Sequence, residues 1–398
     1  MTPALPSSAS PLAPAGGYKS LYSFGERGRS GDGRTPVAGL IALAGELYGT
    51  TEAGGTTNAY CSHGCGTVFK VSRAGDEVTL YRFGGAYDGA TPAGTLVEFG
   101  GALWGTSSAG GLGSNCVPGC GTVFKLSLDG KSESVIYRFK GGSDGAVPLA
   151  GMVVLGGALY GTTEFGGKTT ALCPSGCGTV FKVDASGNEQ ILHSFSGGRD
   201  GFLPVSSLLG LNGALYGTTQ YGGRATALCA TGCGTLFELS PSGTKKTLHA
   251  FDFSTASGDG AYPAAGPTAL NGKLYGTTMG GGKGADGTVY RADPSTGAER
   301  VIHSFICCAT RSDGIFPFAR LTERGGELYG TTRSGGTLNA GTVFIITPSG
   351  AESVLYDFAG KPDGAHPQAR VLSLSGALYG TTAGGGSRGE GSIFSFTP

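Results

Sequence analysis

A five-residue core, Leu-Tyr-Gly-Thr-Thr, recurs seven times along the 398-residue chain. Copies begin at Leu47, Leu103 (as Leu-Trp-Gly-Thr-Ser), Leu159, Leu215, Leu274, Leu328 and Leu378, so successive spacings are 56, 56, 56, 59, 54 and 50 residues. Self-similarity at a near-fixed period is the signature of a repeat architecture, in which each unit buries its apolar face against its neighbours. The stretch "GALYGTTEFGGKTTALCPSGCGTVFKV" from Gly157 to Val183 is therefore one copy of a unit and not an isolated catalytic or metal motif.

Each unit reads as four β segments separated by Gly, Asp and Pro. In the second unit these are Ala93 to Phe99, Ala102 to Ser107, Gly121 to Ser127 and Glu133 to Phe139, labelled strands A to D. The A-to-B and C-to-D connections carry the dipeptides of tight hairpins, as at Asn212-Gly213 and Asp129-Gly130. The D-to-A connection always contains Asp-Gly-x-x-Pro, from Asp32 to Pro36 in the first unit through Asp363 to Pro367 in the seventh. Gly (78) and Pro (19) make up about a quarter of the chain, a level that would suggest disorder without periodicity. Their fixed places in the repeat make them turn markers instead.

Seven four-stranded antiparallel units predict an all-β fold, a seven-bladed β-propeller. The ends of the chain fit a closed ring. Tyr18 to Phe24 reads as a D strand with no A, B or C before it, and Gly391 to Phe396 as a C strand with no D after it. The N-terminal strand is thus expected to complete the last blade and remove two exposed edges. The division expected is 1–17, a Pro/Ser/Ala-rich linker read as disordered, and 18–398, the propeller; two split domains or an open solenoid are the alternatives.

The repeated Leu-Tyr-Gly-Thr-Thr, Gly-Thr-Val-Phe-Lys and Asp-Gly-x-x-Pro blocks resemble those of the extracellular bacterial tandem-repeat proteins called GloVer-containing, or choice-of-anchor, proteins. The resemblance covers Tyr18 to Pro398 and implies a secreted or surface-held repeat protein, with no family-wide catalytic residues to carry over. The chain differs from the anchored pattern in showing no sorting or membrane tail after Phe396-Thr397-Pro398.

Lys plus Arg and Asp plus Glu number 28 each, which leaves no basic excess for nucleic acid. No run approaches the roughly 18 apolar residues of a membrane-spanning helix. A soluble, monomeric protein is expected. The ten cysteines form four Cys-x-x-x-Cys pairs, Cys61/Cys65, Cys116/Cys120, Cys173/Cys177 and Cys229/Cys233, plus adjacent Cys307 and Cys308. An even count in local pairs reads as disulfides in an oxidising compartment, hence a secreted, cell-surface or periplasmic location. Zinc would need four convergent ligands, whereas these pairs lie on separate repeats and one spacer alone holds a histidine, His63; free thiols are the other alternative. Whether Cys307 and Cys308 are bridged stays open. No metal or cofactor is expected.

In an antiparallel blade the D-to-A and B-to-C loops share one face, and loops on a rigid scaffold are where binding usually resides. The first four B-to-C loops are long and contain the cysteine pairs; the last three, such as Gly280 to Thr288, are short. Positions repeated in every unit read as structural: the Asp-Gly-x-x-Pro aspartates as turn formers with Gly supplying positive φ, and Tyr48, Tyr160, His193, His249 and His303 as packing residues. Function is sought where the repeats disagree. After Gly-Thr-Thr stand Glu52, Glu164, Gln220 and Arg333, and before the Asp-Gly-x-x-Pro proline stand Tyr262, Phe316 and His366. Aromatic groups beside a few polar ones are what a ligand pocket requires. The reading favoured is a secreted protein binding a glycan on the cysteine-loop face. The alternatives are a polysaccharide lyase using His366 or a Tyr with Arg333, a hydrolase whose Glu52 and Glu164 would have to stand about 5 to 9.5 Å apart, and a structural surface protein without a ligand.

Overall fold

The computed structural model describes residues 17–27, 31–112, 116–253, 258–306 and 313–398. Seven four-stranded antiparallel sheets follow one another along the chain. Blade 1 comprises Ile41–Leu43 (A), Glu46–Thr51 (B), Thr67–Val71 (C) and Glu77–Arg82 (D). Blade 7 takes strands A to C from Leu372–Leu374, Ala377–Thr382 and Ser392–Thr397, and its D strand from the N-terminal Gly17–Ser23. The fold is the expected seven-bladed propeller, closed by its N-terminal strand. Among the described residues there are no α-helices, and no helix is long and apolar enough to cross a membrane.

The repeated core is explained residue by residue in strand B, where successive side chains face opposite sides of the sheet. Leu47 packs among Phe24, Tyr379 and Ile393 of the preceding blade, while Tyr48 packs among Leu96, Leu103 and Phe124 of the next. Gly49 has no side chain because the ring of Phe69 on strand C occupies that space: a Cβ there would stand 2.6 Å from Phe69 Cζ. The first Thr donates to the next blade, from Thr50 Oγ1 to the Gly94 carbonyl at 3.4 Å through to Thr381 Oγ1 to the Ala38 carbonyl at 2.9 Å, which closes the circle. The second Thr meets the strand C hydroxyl, as in Thr51 to Thr67 at 2.8 Å.

Aromatic pairs across every junction complete the core, from Phe24 against Phe69 at 5.2 Å to Phe358 against Phe394 at 5.2 Å, all edge to face. Such pairs contribute about 0.5–1.5 kcal/mol each beyond the area they bury. Each strand D has a one-residue register shift against strand C, as between Val68 and Phe69, and a bulge of this kind re-aims the side chains that follow.

Three details differ from the sequence reading. Ordered strand begins at Gly17, one residue inside the expected linker, whose residues 1–16 lie outside the described ones. Strand A is shorter than expected, Val97–Phe99 in blade 2, because the preceding residues turn to the neighbouring blade and the Gly94 carbonyl accepts from Thr50. The glycine of Asp-Gly-x-x-Pro has positive φ at Gly89, Gly145, Gly201 and Gly314 but not at Gly33, Gly260 or Gly364. Close approach to the second Thr is the broader demand; a Cβ on Gly33 would stand 2.5 Å from Thr51 Cγ2. The residue before the proline carries the positive φ in all seven blades, from Thr35 at 54° to His366 at 56°.

Candidate ligand-binding channel

The D-to-A and B-to-C connections are knitted together on one face. Gly33–Arg34 pairs with Ala53–Gly54, and the same pairing recurs as Ala90 with Ala109, Phe202 with Tyr221 and Ile315 with Ser334. Two backbone bonds hold each left-handed residue: Thr35 N–H donates to the Glu390 carbonyl, and the Thr35 carbonyl accepts from Glu52 N–H. The two kinds of variable position therefore stand side by side on each blade, Leu203 with Gln220, Tyr262 with Met279 and Phe316 with Arg333. Four disulfides, Cys61–Cys65, Cys116–Cys120, Cys173–Cys177 and Cys229–Cys233, close the long loops on this face. Cys307 and Cys308 lie outside the described residues.

The expected site residues do not share one environment. Phe316, Arg333 and His366 are exposed, and His366 Nδ1 lies 3.0 Å from the Arg333 carbonyl, which gathers these three on blades 6 and 7. Tyr262 is turned away: its ring packs against Tyr221 and its Oη lies 3.3 Å from Cys229 Sγ, so it supports the cysteine loop of blade 4. Glu52 and Glu164 are half-buried, which raises both carboxyl pKa values; Gln220 is half-buried too. Of these seven residues, Glu52 lines the cavity at the centre of the ring.

That cavity of about 610 Å³ is walled by the A-strand segments of all seven blades, a volume within the usual range for small-molecule sites. The third residue after the Asp-Gly-x-x-Pro proline faces it, and this position holds Gly39, Thr95, Gly151, Ser207 and Gly266 on five blades but Arg320 and Arg370 on the last two. Arg320 Nε donates to Thr268 Oγ1 at 3.3 Å and its Nη1 to the Leu208 carbonyl at 3.4 Å. Arg370 Nε is buried with no hydrogen-bond partner. Among the described residues neither guanidinium forms an ion pair with a carboxylate. Burial, then the field of Arg370, pushes the Arg320 pKa down to about 10; burial lowers that of Arg370. Phe318, two residues nearer the mouth than Arg320 on the same wall, and Gln368, its counterpart beside Arg370, complete this side.

The sequence reading missed both arginines. Their signal is the one that singles out the loop residues, disagreement between repeats, here three residues after the Asp-Gly-x-x-Pro proline.

The signature of the Gloeobacter/Verrucomicrobia repeat matches residues 10–231 and 225–398. No curated protein matches the sequence. Among solved structures, the chain is similar to a Bacteroides uniformis protein assigned as a 6-phosphogluconolactonase, at 15% identity and a TM-score of 0.52 over 84% of this chain and 89% of that one. It is also similar to a puromycin hydrolase, at 13% identity and a TM-score of 0.51 over 89% of this chain and 50% of that one. At such identities the likeness is one of fold alone.

Proposed function

The chain belongs to the Gloeobacter/Verrucomicrobia repeat family, and we propose that it is an exported, non-catalytic binding protein that takes an acidic sugar into its central channel from the cysteine-loop face. The observation that carries this reading is the pair Arg320 and Arg370, two cations on one wall of a cavity that also holds Glu52 and Glu98, with neither guanidinium in ion-pair contact with a carboxylate among the described residues. Burying charge without a partner is costly, and a ligand carboxylate would remove the cost while gaining two charge-assisted contacts. The glycines at the equivalent positions leave room for a ring, and Phe318 offers an apolar surface to its C–H face. Four disulfides support export to an oxidising compartment. A hydrolase would need both carboxyls at one cavity, and Glu164 is not part of the channel wall.

Calorimetric titration with galacturonic acid trimer tests the reading. A charge-assisted hydrogen bond contributes roughly 1.5–3 kcal/mol, so Arg320→Ala/Arg370→Ala is expected to weaken binding about 100-fold or more, with no unsaturated product and no new reducing ends formed by the wild type. Equal affinity of wild type and double variant would refute the channel site, and release of product would favour the enzyme.

A further inference from the structure

Every junction between blades contains a second polar assembly, far out from the channel. The Asp of Asp-Gly-x-x-Pro accepts from the backbone at the end of the preceding D strand and from a Tyr or His on that strand. Asp88 takes Gly84 N–H at 2.8 Å and Tyr81 Oη at 2.8 Å; Asp259 takes Asp252 N–H at 3.0 Å and lies 3.2 Å from His249 Nε2. A third side chain arrives from the start of the next blade's D strand, its first residue in six blades and its second, Tyr18, in the seventh. Along the ring the triads are Tyr22, Asp32, Glu77; Tyr81, Asp88, Glu133; Tyr137, Asp144, Glu189; His193, Asp200, Lys245; His249, Asp259, Glu299; His303, Asp313, Glu352; and, closing it, Tyr356, Asp363, Tyr18.

Two of these combine an imidazole with two carboxylates. His249 Nε2 lies 3.2 Å from Asp259 Oδ2 and 3.7 Å from Glu299 Oε2, and His303 Nε2 lies 2.9 Å from Asp313 Oδ2. In each triad one donor atom per residue falls within 4.8 Å of the others. With metal–ligand bonds of about 2.1 Å, two ligands at one ion stand about 3.0–3.4 Å apart for angles between octahedral and tetrahedral. Glu299 retains only 6% side-chain exposure, and its second oxygen, Oε1, is buried with no hydrogen-bond partner; Glu352 Oε1 is likewise buried and unpartnered. The fold itself shows what else fits this place. At the junction of blades 3 and 4, a lysine stands where the glutamate would be, and Lys245 Nζ lies 3.0 Å from Asp200 Oδ1 at 5% exposure. At the junction of blades 7 and 1, Arg27 pairs with Glu77 at 2.8 Å. The protein thus supplies its own cation at two junctions, and at the two His-Asp-Glu junctions it supplies donors instead. Glu133 and Glu189 also carry an unpartnered oxygen, but their neighbour is a phenol, which keeps its proton, where the others offer an imidazole nitrogen.

We propose that the junctions of blades 4 and 5 and of blades 5 and 6 each bind a divalent transition-metal ion, one through His249, Asp259 and Glu299 and the other through His303, Asp313 and Glu352. Imidazole nitrogen with carboxylate oxygen suits zinc and its neighbours better than magnesium or calcium, and one ion would clamp strands of two adjacent blades.

The test is titration of the chelator-treated full chain with zinc chloride, followed by calorimetry and thermal melting. Two equivalents are expected to bind and to raise the melting temperature. Glu299→Lys and Glu352→Lys, which copy the Lys245 junction, should each remove one equivalent while leaving the metal-free melting temperature near that of the wild type. If either lysine variant fails to fold, His249→Tyr and His303→Tyr, which copy the tyrosine junctions, serve the same purpose. Zinc uptake unchanged by these substitutions, or no uptake by the wild type beyond that of a combined Glu299→Lys/Glu352→Lys variant, would overturn the proposal.

Discussion

Blades 1 to 4 and blades 5 to 7 share one repeat and one core, yet they differ in what stands on it. The first four blades close their B-to-C loops with a disulfide; the last three have short loops without one. The channel arginines lie on blades 6 and 7, and the two His-Asp-Glu sites lie at the junctions of blades 4 and 5 and of blades 5 and 6. What recurs seven times holds the ring: the Leu and Tyr of strand B, the paired Thr hydroxyls, the edge-to-face aromatics. The residues proposed to bind ligand or metal are departures from the repeat, and most of them stand on the half with the lower rim.

The largest expected effect cuts across both halves. Removing residues 17–24 takes away the D strand of blade 7 and Phe24, whose ring packs on Phe69 of blade 1. Loss of a buried Phe alone costs about 3–5 kcal/mol, so the truncated chain should melt many degrees lower or fail to fold; an unchanged melting curve would contradict ring closure. Next comes the cysteine half. Each bond closes a short loop, with cysteines four residues apart, and adds roughly 2 kcal/mol by the chain-entropy relation before strain. Cys173→Ser/Cys177→Ser should lower the melting temperature by a few degrees and speed hydrogen exchange in loop residues 164–178, while blades 5 to 7 keep their protection. Faster exchange throughout the ring would show that the two halves are not independent.

The mouth offers a finer comparison. Phe316→Ala or Arg333→Ala, at exposed positions of blade 6, should weaken trimer binding by about 1 kcal/mol, the level separating energetically important contacts from near-neutral ones. Val147→Ala or Ser108→Ala, beneath the cysteine loops, should change it less. Equal losses on both sides would place the ligand on the ring axis without preference for the open half.

The smallest effect concerns pH. Burial first, then the charge of Asp88 or Asp144, raises the Glu133 and Glu189 pKa values from 4.5 to about 7. Tyr81 and Arg138 oppose the shift at Glu133, as do Tyr137 and Lys140 at Glu189. A carboxyl that holds its proton more tightly when folded contributes stability below 4.5 that is lost as pH rises through about 7. The melting temperature of the wild type should therefore fall between about pH 5 and about pH 8.5. Glu133→Gln/Glu189→Gln should fall less steeply, and parallel curves would contradict the assignment.

Much of this was legible in the chain. The period, the Gly-Thr-Thr core and the orphan strands at either end dictated blade number and closure, because each reflects a local contact that every copy must make. Cysteines four residues apart could pair locally without any knowledge of the fold. The site was harder to read. Tyr262 and Phe316 occupy equivalent positions, but a long cysteine loop stands over the first and a short loop beside the second, so one is packed and the other exposed. Arg320 and Arg370 stand two residues before strand A of their blades, Thr322–Arg324 and Leu372–Leu374, and only the assembled ring brings these segments together around a central cavity. His249 and His303 read as packing residues because their partners Glu299 and Glu352 come from the next repeat, some fifty residues on.

A crystal structure of the protein with galacturonic acid trimer tests the central claim most directly. The account predicts a sugar carboxylate within hydrogen-bonding distance of both Arg320 and Arg370, with the ring against Phe318 and the chain emerging between the short loops of blades 5 to 7. Sugar bound at the short-hairpin face around Asn212 or Asp129, with the channel unoccupied, would contradict it.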